Sequence, residues 1–274
     1  MLEERLLQIL EKVYEQTHLD FRQYKESSLK RRIERRLRAT KTESYEQYIE
    51  VLDSDPGEYT KLVDNLTIKV TEFFRNPQAW QVIRNKILPE IVSEKIEKGN
   101  IVEGINPVLR IWSAGCATGQ EVYSGAILVD QLLGERKNKL EVNIWGTDID
   151  KESLLKARQA EYKANIVKEI PHDIIKKYFN FHGDFTPKPF IRDWVYFKSH
   201  DLVLDEPLKH MDMIICRNVI IYFEKHLQEK VFMNFYTGLN KKGYLFLGKA
   251  ETLIGPAREK FQAIDKQWRI YQKT

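Results

Sequence analysis

The chain has 274 residues and a mass of 32.5 kDa, a size that predicts one large domain with a small companion. Its composition, 42% hydrophobic and 31% charged, is that of an ordinary soluble globular protein, and its longest apolar run, Val219–Phe223, is far shorter than the roughly 18 residues that indicate a membrane-spanning helix. The formal net charge of +4 is too small for a protein that binds polyanions over its whole surface.

The N-terminal residues and the possible metal ligands restrict the class further. The chain begins with acidic residues where a secretory signal has basic ones, so we expect a cytoplasmic protein without membrane insertion. Cys116 and Cys216 cannot form a disulfide framework and are expected to be reduced thiols. The histidines show no ligand-like spacing to one another or to the cysteines, which argues against a metal site.

Residues 1–66 show only helical periodicity and predict a small all-helical N-terminal domain. Ser27 or Ser28 is available as the N-cap of the second helix, and Ser44 with Gln47 forms a capping box for the third. The apolar positions that repeat at helical spacing are Leu2, Leu6, Leu10 and Val13, then Leu29, Ile33 and Leu37, then Tyr45, Tyr48, Ile49 and Leu52, and finally Tyr59, Leu62, Val63 and Leu66.

The predicted second helix lies in a strongly basic stretch. Residues 22–41 contain nine basic and two acidic side chains, whereas residues 43–64 contain seven acidic side chains and one basic side chain. We expect these neighbouring stretches to compensate each other in part.

A connecting segment over 67–82 leads into a second domain, 83–274, whose pattern is different. Asn76 and Pro77 supply an N-cap and a first-turn proline for a helix in the connection. Predicted strands and helices then alternate, which is typical of a doubly wound α/β sheet. The predicted strands are Val108–Trp112, Val142–Trp145, Trp194–Phe197, Met211–Cys216 and Tyr244–Leu247, and the helices between them are Glu121–Leu133, Glu152–Ala157 and Lys225–Leu239. A hairpin of 261–264 and 268–271 is expected at the sheet edge.

The first predicted strand ends in a loop of small residues between Ser113 and Glu121, with Gly115 and Gly119 in it. Open α/β sheets bind ligands at the carboxyl ends of their strands, and glycine lets a ligand approach the backbone, so this loop predicts a nucleotide-like cofactor. The spacing is neither G-x-G-x-x-G nor a Walker motif, which argues against dinucleotides and nucleoside triphosphates. A tight turn without a ligand is the alternative.

Polar side chains also follow the second and fourth predicted strands. Asp148 is placed to accept hydrogen bonds from the hydroxyls of a ribose, and its alternative role as a helix N-cap is better filled by Asp150. Arg217 and Asn218 form the polar tip of a predicted buried strand that is apolar apart from Asp212, and they have no packing rationale. Tyr222 closes an apolar run, so plain core is one interpretation of it.

Four ordered segments resemble the chemotaxis-receptor glutamate methyltransferase family of CheR type. They are 71–76 (TEFFRN), 112–124 (WSAGCATGQEVYS), 147–150 (TDID) and 216–223 (CRNVIIYF). The resemblance implies a Rossmann-like domain that binds S-adenosylmethionine (AdoMet), esterifies glutamate side chains on the cytoplasmic domain of methyl-accepting chemoreceptors and releases S-adenosylhomocysteine (AdoHcy). It also implies a small β insert near 180–198, which in some members of the family binds a receptor peptide.

The resemblance implies a role for each matching residue. Arg75 and Tyr222 would lie beside the transferred methyl group as catalytic residues, Glu121 would hold the amino group of AdoMet and Asp148 its ribose. The other implied cofactor contacts are Lys69, Thr71, Arg75 again, Gly115, Asp201, Leu202, Arg217 and Asn218. The implied docking residues for a glutamate-rich receptor helix are Lys30, Arg31, Arg32, Arg35, Arg36 and Arg38, with a merely solvated basic face as the alternative.

The sequence departs from the family pattern at three places. Lys69 stands where the family usually has Asn, Gln120 and Val122 flank Glu121 where it has Glu and Pro, and Lys249-Ala250 precedes Glu251 where it has His-Ser. These departures keep open an AdoMet-binding signalling protein with lost or altered activity. A nucleic-acid methyltransferase is the other alternative, although the modest net charge and the missing base-modification motifs argue against a nucleic-acid partner. We expect a monomer.

Overall fold

The computed structural model describes residues 3–67, 69–98 and 106–274. Its contacts divide the chain into two units. The helical unit consists of Met1–Lys69 and Ile220–Gln228, and the sheet unit consists of Val70–Val219 and Glu229–Thr274. Within the described ranges, no helix has the length and apolar character that crossing a membrane requires.

Thirteen α-helices and nine strands are described. The helices are α1 Glu4–Thr17, α2 Glu26–Thr40, α3 Tyr45–Ser54, α4 Pro56–Leu66, α5 Pro77–Val82, α6 Leu88–Lys98, α7 Gln120–Leu133, α8 Lys151–Gln159, α9 Ala164–Val167, α10 His172–Tyr178, α11 Pro189–Arg192, α12 Lys225–Gly238 and α13 Ala257–Lys260. The strands are β1 Val108–Ala114, β2 Glu141–Asp148, β3 Phe179–Phe181, β4 Phe185–Pro187, β5 Val195–Ser199, β6 Met211–Cys216, β7 Leu239–Leu247, β8 Phe261–Asp265 and β9 Ile270–Lys273. A π-helical turn, Ile83–Ile87, joins α5 to α6, and 3₁₀ turns occur at Gly134–Lys139 and Ile220–Tyr222.

In the helical unit, α1 to α4 bury the apolar faces that the sequence predicts, with Leu6, Ile33 and Leu62 fully buried. Half of the predicted capping box of α3 is formed: Ser44 Oγ accepts a hydrogen bond from Gln47 N, whereas Gln47 Oε1 accepts one from Glu43 N, one residue before the N-cap.

The predicted start of α2 is wrong, because the helix begins at Glu26 with Lys25 at the N-cap position instead of Ser27 or Ser28. Lys25 is fixed there by the segment Ile220–Gln228. Its backbone N–H donates to Tyr222 O at 2.9 Å and its Nζ donates to Ile221 O at 2.6 Å.

The sheet unit contains a seven-stranded sheet in the order β5-β2-β1-β6-β7-β9-β8. The first five strands in that order are parallel, and β9 pairs antiparallel with both β7 and β8. The predicted terminal hairpin is therefore confirmed, with β8 at the edge. The chain runs outward from β1 through β2 to β5 and then returns to β6, so the strand order reverses between β1 and β6. Such a switch point is where open α/β sheets bind ligands.

Buried apolar side chains fill both faces of this sheet. All six residues of β6 are buried, as are eleven residues of α7. A helix that is buried on almost all sides lies in an interior, and α7 packs against the strands as the first crossover of the sheet.

The range 180–198, predicted to hold a β insert, contains more than one element. The strands β3 and β4 form a separate two-stranded antiparallel hairpin, α11 follows, and the last residues of the range already belong to β5 of the main sheet.

Candidate active site

The loop after β1 has an unusual backbone that β2 supports. Gly115, Ala117 and Gly119 all have positive φ angles, of 78°, 45° and 90°. The N–H groups of Gly115 and Cys116 donate to Thr147 O at 2.8 and 2.9 Å. Ala117 lacks the conformational freedom of glycine, so its positive φ requires support from surrounding contacts.

Asp148 provides that support. Its Oδ2 accepts a hydrogen bond from Ala117 N at 2.8 Å, and its Oδ1 accepts one from Asp150 N at 2.9 Å. Burial raises the pKa of Asp148, while these backbone donors oppose the rise. The N-cap of α8 is Asp150, as predicted, since its carboxylate accepts from Glu152 N and Ser153 N. Each oxygen of Asp148 keeps a lone pair for a further donor.

Glu121 and Arg217 form a buried pair of opposite charge near the carboxyl ends of β1 and β6. Glu121 Oε1 accepts from Ser113 Oγ at 2.9 Å, and Glu121 Oε2 lies 3.7 Å from Arg217 Nη1. The Arg217 guanidinium lies over the Phe246 ring, 4.6 Å from its centroid, and donates from Nη2 to Asn76 Oδ1 at 2.7 Å. Burial raises the pKa of Glu121 and lowers that of Arg217.

Arg217 has spare hydrogen-bonding capacity. Its Nε and Nη1 atoms are buried and have no hydrogen-bond acceptor within the part of the chain that the structure describes. A buried donor without an acceptor costs about 1–3 kcal/mol, and a charged one costs more. The arrangement therefore fits an acidic ligand group that accepts from Arg217.

Glu251 holds the backbone that carries Arg217, a role that the sequence analysis missed. Its Oε2 accepts from Gly248 N at 2.6 Å and from Asn218 N at 2.9 Å, and its Oε1 accepts from Val219 N at 2.9 Å. Asn218 has a φ of 63°, so these bonds fix a left-handed residue two positions after the end of β6. A carboxylate just beyond the end of the neighbouring strand was the available sequence signal.

The charge of Arg75 contributes a lowering of the pKa of both Glu121 and Arg217, so Arg75 lies near this pair. Its Nε is 3.8 Å from Glu72 Oε1. Arg75 also borders a cavity of about 820 Å³ inside the sheet unit, which the aromatic side chains of Phe73 and Trp80 help to line.

The predicted N-cap role of Asn76 is wrong for its side chain, which bonds to Arg217 and makes no cap to α5. Thr71 is half-buried on the same connecting segment.

Asp201 and Leu202 follow β5. The side chain of Asp201 closes a local turn, since its Oδ1 accepts from Val203 N and Leu204 N at 2.8 and 3.1 Å. Leu202 is buried. The preceding residue, His200, donates its backbone N–H to Asp148 O at 3.0 Å, which links this turn to the end of β2.

Two of the implied catalytic and cofactor-binding residues, Lys69 and Tyr222, belong to the helical unit. Lys69 Nζ lies 2.7 Å from Asp64 Oδ1, in an ion pair. Tyr222 ends the 3₁₀ turn Ile220–Tyr222 and is half-buried, so it is not a plain core residue. The Arg32 guanidinium lies over its ring, 5.5 Å from the centroid.

The basic side chains of α2 have different environments. Arg36 makes a two-pronged ion pair with the buried Glu58, with both N–O distances at 2.8 Å, which confirms the expected compensation by the acidic stretch. Lys30 lies 2.8 Å from Glu26. The exposed cationic side chains of α2 are those of Arg31, Arg35 and Arg38.

Family comparisons agree with this arrangement. The family model described as "CheR methyltransferase, SAM binding domain" matches residues 69–270, and the one described as "CheR methyltransferase, all-alpha domain" matches residues 4–67. The chain belongs to the CheR methyltransferase family. Its fold is thus the α/β Rossmann-like methyltransferase fold with an all-helical N-terminal domain, and its cofactor is AdoMet, as the sequence predicts.

Individual relatives cover most of the chain. The Cher3 protein of Pseudomonas putida is 33% identical over an alignment of 284 positions, which covers 100% of this chain and 97% of that protein. A chemotaxis protein methyltransferase of Listeria innocua is 31% identical over 240 residues, 87% of this chain and 86% of its own length. A 104.1 kDa protein of Rhodobacter capsulatus is 30% identical over 269 residues, which are 98% of this chain but only 27% of that larger protein.

Proposed function

We propose that this chain transfers a methyl group from AdoMet to glutamate side chains on the cytoplasmic domain of chemoreceptors, forming glutamate methyl esters. The observation that carries the proposal is the buried Glu121–Arg217 pair, whose guanidinium has unused donors beside the loop after β1. The name of the Listeria relative supports the chemotaxis assignment and favours it over a nucleic-acid methyltransferase. The proposed enzyme acts as a monomer in the cytoplasm.

The residues around this pair fit the amino-acid end of AdoMet. Glu121 would bind the ammonium group and Arg217 the carboxylate, so that each buried charge meets its opposite. Asp148 would accept from the ribose hydroxyls with the lone pairs that the backbone leaves open. The remaining proposed cofactor contacts are Lys69, Thr71, Arg75, Gly115, Asp201, Leu202 and Asn218.

When bound, AdoMet supplies an electrophilic methyl group on a sulfonium. The acceptor glutamate is already ionised at neutral pH, so the chain needs no general base. Arg75 orients the acceptor carboxylate, and Tyr222 donates a hydrogen bond close to the reacting oxygen. A positioning contact from Arg75 is sufficient, because a tight two-pronged pair would stabilise the carboxylate and weaken it as a nucleophile.

The chemistry is tested by incubating the chain with methyl-labelled AdoMet and receptor cytoplasmic fragments. The label should leave the receptor as volatile methanol in mild alkali, since esters hydrolyse there and N-methyl groups do not. Arg75→Met should lower kcat and also raise the Kd for AdoHcy, because Arg75 is proposed to contact both the acceptor carboxylate and the cofactor. A receptor fragment with its acceptor glutamates changed to glutamine is the matched control. Alkali-stable label would contradict the proposal.

Docking of the acidic receptor helix is proposed for the basic face of α2. The exposed Arg31, Arg35 and Arg38 lead this face, and Lys30, Arg32 and Arg36 add their charge to the local field. Changing Arg31, Arg35 and Arg38 to Glu should raise the receptor KM at low salt without altering AdoHcy affinity.

The matched control for this test changes three exposed lysines of the sheet unit, Lys139, Lys241 and Lys266, to Glu. This variant has the same net charge as the arginine variant but an intact basic face. An equal effect of the two variants on KM would mean that net charge matters and that α2 is not the docking surface.

A further inference from the structure

Arg32 differs from the other basic residues of α2 because it is partly buried and held on two sides. Its Nη1 donates to Asn65 O at 2.6 Å, in the last turn of α4. Its Cζ lies over the ring of Tyr222, and its Nε is buried without an acceptor among the described residues. Arg32 therefore lacks the free, solvated guanidinium that a long-range docking charge would have.

The segment that carries Tyr222 is held from the backbone as well. Besides the two bonds from Lys25 to Ile221 O and Tyr222 O, Glu224 N donates to Gln23 O at 3.3 Å. The Phe223 ring packs edge-on against Tyr24, with 5.0 Å between the centroids. These contacts fix the path of the chain at Tyr222 and leave the orientation of its ring to the neighbouring side chains.

We propose that Arg32 is a positioning residue, which fixes the ring of Tyr222 and through it the hydroxyl that donates during methyl transfer. The inference rests on the proposed function, because it takes the role of Tyr222 from there. It separates the basic helix into two parts, with Arg32 serving the reaction step and the exposed arginines serving docking.

The physical basis is the flat shape of the guanidinium. A guanidinium that is stacked on an aromatic ring away from water is attracted to the ring more strongly than one at an exposed site. The hydrogen bond from Arg32 to Asn65 O at the end of α4 also restricts the motion of the guanidinium. A lysine at this position would keep the charge but lose both the flat contact and the directed fork of donors. Charge alone and positioning can therefore be distinguished experimentally.

The test measures kcat and KM for receptor methylation with Arg32→Met, Arg32→Lys, Tyr222→Phe and the double variant Arg32→Met/Tyr222→Phe in the full chain. Arg32→Met should lower kcat about three- to thirtyfold, with AdoHcy affinity unchanged. Arg32→Lys should recover only a small part of that loss. The double variant should be no slower than Tyr222→Phe, since Arg32 then has no hydroxyl to position.

The matched control is Arg22→Met, because Arg22 also stacks on a tyrosine of the helical unit, with its Cζ 4.6 Å from the centroid of the Tyr14 ring. Its kcat should stay within about twofold of the wild type. Circular dichroism verifies the fold of each variant, and Arg32→Lys carries the test if Arg32→Met does not fold.

Three results would overturn the inference. Independent, multiplicative losses in the double variant would mean that Arg32 acts without Tyr222, as a direct contact to the acceptor would. Full activity of Arg32→Lys would reduce its role to charge, and full activity of Tyr222→Phe would leave no hydroxyl to position. Failure of the proposed function is seen separately, as a wild-type chain that forms no alkali-labile ester.

Discussion

Replacing Glu251 by glutamine should loosen the Arg217–Val219 loop and weaken cofactor binding. The wild-type carboxylate accepts three backbone N–H groups, of Gly248, Asn218 and Val219. A glutamine has one oxygen, so its best orientation keeps the two bonds that Oε2 now makes and turns its NH₂ group towards Val219 N. Two donors then face each other in a buried site.

The magnitude follows from these three bonds. Each of the two retained bonds loses charge assistance, which costs about 1 kcal/mol, and the unpaired Val219 N–H costs about 1–3 kcal/mol. We therefore expect Glu251→Gln to lower the free energy of unfolding of the sheet unit by about 3–5 kcal/mol and to raise the Kd for AdoHcy at least tenfold.

Urea unfolding followed by tryptophan fluorescence measures this change, because all five tryptophans lie in the sheet unit. Isothermal titration calorimetry measures the Kd. Glu206→Gln is the matched control, since the Glu206 side chain is 93% exposed and should change stability by less than about 0.5 kcal/mol. If Glu251→Gln stays within about 1 kcal/mol of the wild type and binds AdoHcy normally, the loop does not depend on the Glu251 carboxylate.

Three further predictions concern the cofactor site and the helical unit. Burial raises the pKa of Glu121 above the ordinary 4.5, and binding an ammonium needs the ionised carboxylate, so AdoHcy affinity should fall with decreasing pH before a normal glutamate titrates. Titration calorimetry should show this fall in the wild type, whereas Glu121→Gln should bind weakly with little such slope; parallel slopes would refute the assignment. Gly115→Ala would place a Cβ 2.5 Å from Val219 Cγ2 at a φ of 78°, which should cost about 2–3 kcal/mol in urea unfolding, with partial recovery in Gly115→Ala/Val219→Ala; no recovery would exclude the steric explanation. Arg36→Met should destabilise the helical unit by about 3 kcal/mol, because it leaves the buried Glu58 carboxylate with only the exposed Lys61, 3.7 Å away, as a cation, and thermal unfolding by circular dichroism should show a smaller loss in Arg36→Met/Glu58→Met.

Features set by neighbouring residues were predictable from the sequence. The N-caps Ser44 and Asp150 each bond to partners within a few residues, and the structure contains both, although the Gln47 side chain of the predicted capping box bonds to Glu43 N instead of Ser44 N. The apolar run of β6 was equally clear, because a fully buried strand in a parallel sheet needs no alternation. The loop after β1 and the carboxylate at the end of β2 were placed correctly, because the carboxyl ends of parallel strands lie at the same edge of the sheet.

The features that were missed depend on partners far away in the sequence. The Asn76 side chain bonds to Arg217, 141 residues later, and leaves its helix uncapped. The start of α2 is decided by Lys25 bonding to Ile221, 196 residues later. Local propensity contains no information on such bonds, and the prediction of six docking residues on α2 did not distinguish the environments of Arg32 and Arg36.

The composition of the helical unit from Met1–Lys69 and Ile220–Gln228 has a consequence for synthesis and for protein engineering. During translation, the first stretch leaves the ribosome long before the second exists, so the helical unit reaches its final packing only after most of the sheet unit has been made. A chimaera that exchanged only the first 69 residues with a relative would combine the main part of one helical unit with the short second stretch, Ile220–Gln228, of another. Phe223 and Leu227, which are buried, would then meet foreign neighbours. Helical units can be exchanged between members of this family only if residues 220–228 are exchanged with them.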